Sequence, residues 1–334
     1  MKQITIACVI PIAADPTSFY RGVGPLSQLV KDNPQIRLTF PQGYDWAQLK
    51  MADLVFLQRP ADPVHFGALC VAKDLGLPVW IDMDDDNLAV PKDNPMYGFY
   101  QQMPVKEAII KLARHCDALT VTTEFLKKKF GIYNKNTSII PNAVDDSLLH
   151  LRQIPPGPRQ KRVLWRGTQS HSRNLMTVGR EIVSLSRKHA DWKFTFFGMD
   201  PIDLTDHMKN AEVVGQVPPL DFFKTMCALH AGILYYPLGA TDHAQARSHI
   251  SWLEGTFAGA VCAASKNAEF TRPGLLNFSS PLEFEDVIDR VIAGHYDVDK
   301  LVEESWAEIQ DKYMLSHTNK LRMEIIESLL SKKT

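Results

Sequence analysis

Long hydrophobic runs are missing from this chain. No stretch of its 334 residues approaches the roughly 20 apolar residues that a membrane-spanning helix requires. The apolar start, residues 4–10, is short and rich in β-branched residues, and it leads into a turn at Asp15-Pro16. It reads as a first strand, not as a signal peptide. Charge of one sign is missing too. Against 37 Lys and Arg stand 38 Asp and Glu, a formal net charge of −1, which argues against a protein that coats nucleic acid. Lys127, Lys128 and Lys129 are a local exception. They read as a solvated helix face, with a nucleic-acid or membrane-surface contact as the alternative. Cysteine is scarce. Cys8, Cys70, Cys116, Cys227 and Cys262 are scattered, with no Cys-x-x-Cys and no Cys/His cluster, so a zinc site is not expected. Buried thiols in a reducing cytosol are the plain reading, and the expected location is cytoplasmic.

What is present is strand–helix alternation, twice over. A chain of 334 residues with 45% hydrophobic residues can supply two cores. In the first half, apolar runs at 4–10, 36–40, 53–58, 78–81, 118–122 and 138–140 read as strands, with helices at 62–75, 105–116 and 123–130. In the second half, strands are expected at 162–165, 193–197, 212–217, 233–236, 260–264 and 275–278. Helices are expected there at 175–189, 220–229, 281–293, 298–314 and 316–330. This alternation predicts an α/β protein with two doubly wound parallel sheets. Residues 151–161, LRQIPPGPRQK, carry three prolines and fit no core pattern, so they read as a linker. The expected domains are therefore 1–150 and 162–314, followed by a last helical segment, 315–334.

Ligands of open α/β sheets bind beyond the carboxyl ends of the strands, so the residues there matter most. In the stretch 233–264 a strand ends at Pro237, a polar loop covers 239–245, and a helix is expected to begin near Arg247 or Ser248. Ile250, Leu253, Phe257 and Ala258 recur at helical spacing and mark its buried face. A helix start suits phosphate. Arg166, at an earlier strand end, and Arg247 match phosphate oxygens bidentately, unless they are ordinary surface arginines. Glu254 could accept both ribose hydroxyls of a nucleotide or be a plain surface glutamate. His171 could contact a ligand or cap the helix it precedes. In the first half, the loop 11–25 holds Tyr20 and Arg21 beside Gly22 and Gly24, and Arg59 closes another strand. Asp82, Asp84, Asp85 and Asp86 crowd the end of a fourth. They read as a metal site of the DxD kind, as acceptor-side carboxylates including a general base, or as a loop that caps the next segment.

At these positions the chain resembles GT-B glycosyltransferases, especially the broad retaining group that uses nucleotide sugars. The usual pattern is a strand ending in Pro, a loop, Asn-x-Lys-Ser, then a helix with a Glu and a Gly. Pro237, Gln245, Arg247, Ser248, Glu254 and Gly259 take those places here. Gln245 replaces the Asn, and Ala246 stands where many members carry a second Glu that touches the donor sugar. The segment from Arg166 to His171, with Gly167 and Thr168, is similar to the group's Gly-[Ser/Thr]-x-x-His loop. Gly198 and Val217, in FFG and VVGQVP, fit its base-binding region. Tyr20-Arg21 with the glycine after it resembles members from bacteria and their viruses. The resemblance implies two Rossmann-like domains facing a cleft, with the last helix packing back on the first domain. It implies Arg166, Arg247, Asp84 and Asp85 as catalytic, and Gly167, Thr168, His171, Gly198, Val217, Gln245, Ser248 and Glu254 as donor contacts. Tyr20, Arg21 and Arg59 would lie on the acceptor side. It implies a UDP- or GDP-sugar as substrate, with no cofactor and no required metal. The acceptor hydroxyl stays open between a glycan, a small molecule and a modified DNA base in a virus-infected cell. A nucleotide-sugar epimerase and a non-catalytic nucleotide-sugar-binding protein are the other readings.

Overall fold

A computed structural model describes residues 3–10, 15–41, 45–154 and 158–331. The chain divides into two compact units, 1–92 with 96–142 and 315–334, and 93–95 with 143–314.

The first unit is built on a six-stranded, wholly parallel sheet: β1 (Ile4–Val9), β2 (Ile36–Thr39), β3 (Leu54–Gln58), β4 (Val79–Met83), β5 (Ala118–Val121) and β6 (Thr137–Ile139). The strand order is β2-β1-β3-β4-β5-β6. Strands β3 and β4 are buried along their whole length, as parallel strands covered on both faces are. The order reverses between β1 and β3, and an open α/β sheet places its ligand crevice at such a reversal. The last helix, Leu315–Ser331, belongs to this unit, and Ile326 and Leu329 enter its core beside Leu26, Leu29 and Phe56.

The loop expected at 11–25 is largely helical; residues 11–14 lie outside the described residues. Asp15 caps the helix Pro16–Arg21 by accepting from Thr17 N, and a second helix, Val23–Asp32, follows at Gly22. An acidic N-cap with proline at the first helical position is a strong start signal, here masked by the two glycines behind it.

The second unit repeats the plan with β7 (Gln160–Arg166), β8 (Lys193–Phe197), β9 (Ala211–Val214), β10 (Ala231–Tyr236), β11 (Val261–Ser265) and β12 (Leu276–Phe278), again all parallel. Its order, β12-β11-β10-β7-β8-β9, reverses between β7 and β10, the arrangement of dinucleotide-binding sheets. The expected linker 151–161 lies inside this unit, apart from residues 155–157, which fall outside the described residues. Two arginines tie it down. Arg152 lies 4.1 Å over the Trp306 ring, and Arg159 Nε donates to Gly259 O at 2.6 Å. The helix expected at 175–189 is two helices, Ser172–Met176 and Gly179–Lys188.

Candidate functional site

In the second unit the reversal between β7 and β10 gathers the residues singled out from sequence. Arg166 is the last residue of β7. Its Nη2 stands 2.5 Å from Glu254 Oε2. Its guanidinium lies 5.8 Å from the centroid of Tyr236, the last residue of β10. Gly167 follows, its N–H donating to Phe197 O at the end of β8. Gly198, at φ 107°, continues the contact: a Cβ there would collide with Gly167 O, so only glycine lets the two strand ends approach. Thr168 is exposed, its hydroxyl 3.0 Å from Ser170 Oγ. Val217 follows β9 and is half-buried.

His171 does not cap the helix it precedes. Its side chain makes no capping hydrogen bond, and its Nδ1 lies 3.4 Å from Tyr236 Oη. Burial, then the charges of Arg247 and Arg166 and the nearby His243, push its pKa well below the usual imidazole value. Two nearby guanidinium groups disfavour the charged form of this imidazole.

The loop after β10 differs from the sequence reading. It contains a short helix, Asp242–Gln245, and the main helix starts only at Ile250, with His249 as N-cap. Arg247 and Ser248 therefore precede the helix instead of opening it, and Gln245 ends the short one. Ser248 is 8% exposed and Glu254 4%. Arg247 Nη2 lies 3.1 Å from His243 Nε2. His243 and Tyr236 were not singled out from sequence. The only signal for His243 was its i, i+4 spacing before Arg247, which gains meaning once 242–245 is known to be helical.

The first unit places its candidates less uniformly. Arg21 is 2% exposed and faces inward. Its Nε donates to Asp82 Oδ2 at 2.9 Å and its Nη2 to Asp82 Oδ1 at 2.5 Å, and its Nη1 donates to Ile140 O at 2.6 Å. The expected acceptor contact by Arg21 is thus replaced by a buried bidentate pair with Asp82, itself 2% exposed. Tyr20 stays half-buried, its ring 5.1 Å from that of Phe19.

The acidic run is shared out. Asp82 serves Arg21, and Asp86 pairs with Lys129 while its Oδ1 accepts from Leu88 N. Asp85 Oδ1 accepts from Asp86 N at 3.0 Å. Asp84 faces Arg59 at 4.0 Å, and its Oδ1 has no hydrogen-bond partner among the described residues. Burial raises the Asp84 pKa, Asp85 and Asp82 raise it further, and Arg59 and Arg21 oppose them. Arg59 sits just past β3, at the order reversal, with φ 45°, a strained value for a non-glycine residue. Its Nη2 donates to Asp15 Oδ2 at 2.5 Å and its Nη1 to Thr17 Oγ1 at 3.1 Å. No three His, Cys, Asp or Glu side chains among the described residues converge as metal ligands. No helix among them is long and apolar enough to cross a membrane.

No protein-family model matches the chain, and no curated protein matches it in sequence. Solved structures do match. HepE from Anabaena, in complex with UDP and glucose, aligns with a TM-score of 0.70 at 11% identity, over 98% of this chain and 100% of that one. A glycosyltransferase from Rickettsia africae ESF-5 aligns at 0.69 and 10%, over 98% and 99%. The UDP-GlcNAc 2-epimerase of Neisseria meningitidis, bound to UDP-GlcNAc, aligns at 0.60 and 13%, over 98% and 100%. With two parallel six-stranded sheets and this likeness over nearly its whole length, the chain has the GT-B fold.

Proposed function

We propose that the protein is a glycosyltransferase that moves a sugar from a UDP- or GDP-sugar to a hydroxyl acceptor. The observation that carries the reading is the meeting of Arg166, Arg247, His171 and Glu254 at the β7/β10 reversal of a GT-B fold. In transfer, the bond between the anomeric carbon and the β-phosphate oxygen breaks, and negative charge grows on the departing diphosphate. Arg166 and Arg247 stabilise that charge, which is where electrostatic catalysis helps most. Because two guanidinium groups supply this neutralisation, a divalent metal is not required. The acceptor hydroxyl gives its proton to a base, and Asp84, with its raised pKa, suits that role. A hydroxyl that Asp84 deprotonates and that attacks opposite the departing diphosphate would invert the anomeric carbon; retention, which the family resemblance implies, requires attack from the face the diphosphate leaves. HepE, solved with UDP and glucose on the same fold, supports a uridine nucleotide as first trial donor.

A second reading is a nucleotide-sugar epimerase, since the Neisseria epimerase shares the fold. The acceptor is a glycan or a small molecule before a modified DNA base, because the net charge of −1 gives DNA little to bind. The test is a titration with UDP- and GDP-sugars, followed by acceptor trials with the best binder. Release of free nucleotide that depends on an added acceptor supports transfer. Conversion of the sugar with the nucleotide still attached would overturn it in favour of the epimerase.

A further inference from the structure

We infer that His249 is a positioning residue for the donor: its ring, bonded to Glu269, fixes the turn that presents Arg247 and Ser248 to the diphosphate. The inference rests on the nucleotide-sugar reading above and adds to it a residue that the reading does not use.

Arg247 and Ser248 belong to neither of the helices that flank them, Asp242–Gln245 and Ile250–Phe257. No helical repeat therefore fixes their backbone from within. His249, the next residue, is the N-cap of the longer helix, and its carbonyl accepts from Trp252 N at 3.0 Å. Its side chain does not cap that helix. It turns inward instead and is 1% exposed. Nδ1 lies 3.1 Å from Glu269 Oε2. The ring meets those of Trp252 and Tyr313 edge-on, with centroids 5.7 and 4.6 Å away. A lateral tie to a separate part of the unit thus enters the turn one residue after Ser248.

The chemistry of the tie follows from its partners. A carboxylate oxygen only accepts, so a lone pair on Nδ1 would face it unfavourably, and Nδ1 carries the proton. Nε2 is buried and has no hydrogen-bond partner among the described residues. Burial holds the His249 pKa below the ordinary value; Arg272 acts in the same direction, and Glu269 and Glu308 oppose. The imidazole is therefore neutral, with its one donor directed at Glu269. Glu269 is itself held. Arg272 Nη2 donates to the same Oε2 at 3.1 Å, and Arg272 Nε donates to Glu269 O at 2.9 Å. Arg272 Nη1 donates to Tyr313 Oη, and its guanidinium lies 5.2 Å from that ring's centroid. Tyr313 is the C-cap of the helix Val298–Lys312. The anchor is thus built into the fold before any ligand arrives. A turn left free would lose backbone freedom on binding, and that loss would weaken the ligand. A hydrogen bond that fixes the turn beforehand removes this cost.

The test separates phosphate from the rest of the nucleotide, and the hydrogen bond from the ring. Binding of UDP and of uridine is measured by calorimetry on the unaltered protein and on His249→Leu, His249→Asn and His249→Ser, with GDP and guanosine run in parallel. His249→Leu should weaken the nucleoside diphosphate by roughly tenfold, the scale of one charged hydrogen bond, and leave the nucleoside unchanged. Asparagine places its amide nitrogen where Nδ1 stands, so His249→Asn should recover most of the affinity. Serine is as good an N-cap as asparagine, but its hydroxyl is too short to reach Glu269. His249→Ser should therefore stay as weak as His249→Leu. Where His249→Leu does not fold, His249→Phe removes the donor and keeps a ring. Undiminished diphosphate affinity in the Leu or Phe variant overturns the inference and leaves the nucleotide-sugar reading intact. An Asn variant no better than the Leu or Ser variant also overturns it, because the hydrogen bond is then not what matters. Equal losses for diphosphate and nucleoside overturn it as well, by making His249 a general support of the fold. If neither UDP nor GDP binds the unaltered protein, the nucleotide-sugar reading itself falls, and this inference with it.

Discussion

Arg166 Nη2 and Glu254 Oε2 are 2.5 Å apart, with the arginine side chain 13% exposed and the glutamate side chain 5%. The contact joins the end of β7 to the helix Ile250–Phe257, across the point where the strand order reverses. Two residues with separate expected tasks, phosphate and ribose, are therefore one unit.

Replacing either partner should affect both stability and binding. Removing one member of a buried ion pair costs up to about 3–5 kcal/mol. Arg166→Ala should approach the lower end of that range in urea unfolding, since the arginine is not fully buried. Glu254→Gln should cost less, because the amide keeps a polar group of the same shape beside the guanidinium. Both should weaken UDP. The double change Arg166→Met with Glu254→Leu should recover most of the stability and none of the UDP affinity. A double variant as unstable as Arg166→Ala alone would show that the pair is not the source of the loss.

Arg21 should behave as a structural residue. It makes two hydrogen bonds to Asp82 and one to Ile140 O from a fully enclosed position. Lysine cannot reproduce the bidentate fork. Arg21→Lys should therefore destabilise the protein by roughly 2–4 kcal/mol, through unmet buried partners. Transfer per folded molecule should stay near that of the unaltered protein. A variant with normal unfolding free energy and much reduced turnover would return Arg21 to the acceptor side.

The strands were legible because a parallel strand covered on both faces is a nearly continuous apolar run; β8 lies where the sequence reading put it, Lys193–Phe197. The final helix was expected at 316–330 and its packing on the first unit came from the family resemblance; Ile326 and Leu329 do enter that unit's core. Long-range polar pairing was not. Nothing near Arg21 in sequence announces Asp82, 61 positions away, so an arginine beside two glycines looked like an exposed loop residue. The start of the helix Ile250–Phe257 was misplaced because no side chain caps it and the short helix before it has only four residues. The linker composition of 151–161 was real, but Arg152 and Arg159 hold that segment to the second unit through Trp306 and Gly259.

His171 should make the free protein acid-sensitive. An unfolded chain protonates its imidazoles near the ordinary value of about 6.5. In the folded protein burial, then Arg247, Arg166 and His243, hold the His171 pKa lower. Below the ordinary value the unfolded chain thus binds a proton that the folded one does not. The stabilising contribution is complete above that value and is lost as pH falls, with a slope of at most about 1.4 kcal/mol per pH unit for one group. Burial lowers His65, His230 and His249 in the same direction, so the acid limb of the stability curve should be steep. His171→Gln should flatten it by part of one proton. UDP should flatten it as well, because bound phosphate offsets the two arginines and lets His171 accept its proton. An unchanged acid slope in His171→Gln would mean that the imidazole titrates normally in the fold.

Asp84 should control transfer without controlling donor binding, and it should do so without metal. Its Oδ1 has no hydrogen-bond partner among the described residues, and its nearest cation, Arg59, is 4.0 Å away. The other carboxylates of the run are engaged: Asp82 by Arg21, Asp86 by Lys129, and Asp85 by a backbone N–H. A base must be deprotonated to accept the acceptor's proton, and burial raises the Asp84 pKa. Turnover should therefore fall on the acid side at a higher pH than an ordinary carboxylate would set. Asp84→Asn should lower turnover by roughly 10²–10⁴-fold, the usual contribution of general base catalysis, with UDP-sugar affinity intact. Asp85→Asn should leave donor affinity intact too, with a smaller loss of turnover. EDTA should leave transfer in place if, as proposed, Arg166 and Arg247 neutralise the diphosphate. If EDTA abolishes transfer and Mn²⁺ restores it, and if Asp84→Asn loses its donor together with the metal effect, the acidic run is a metal site and the role given to Asp84 as a base is wrong.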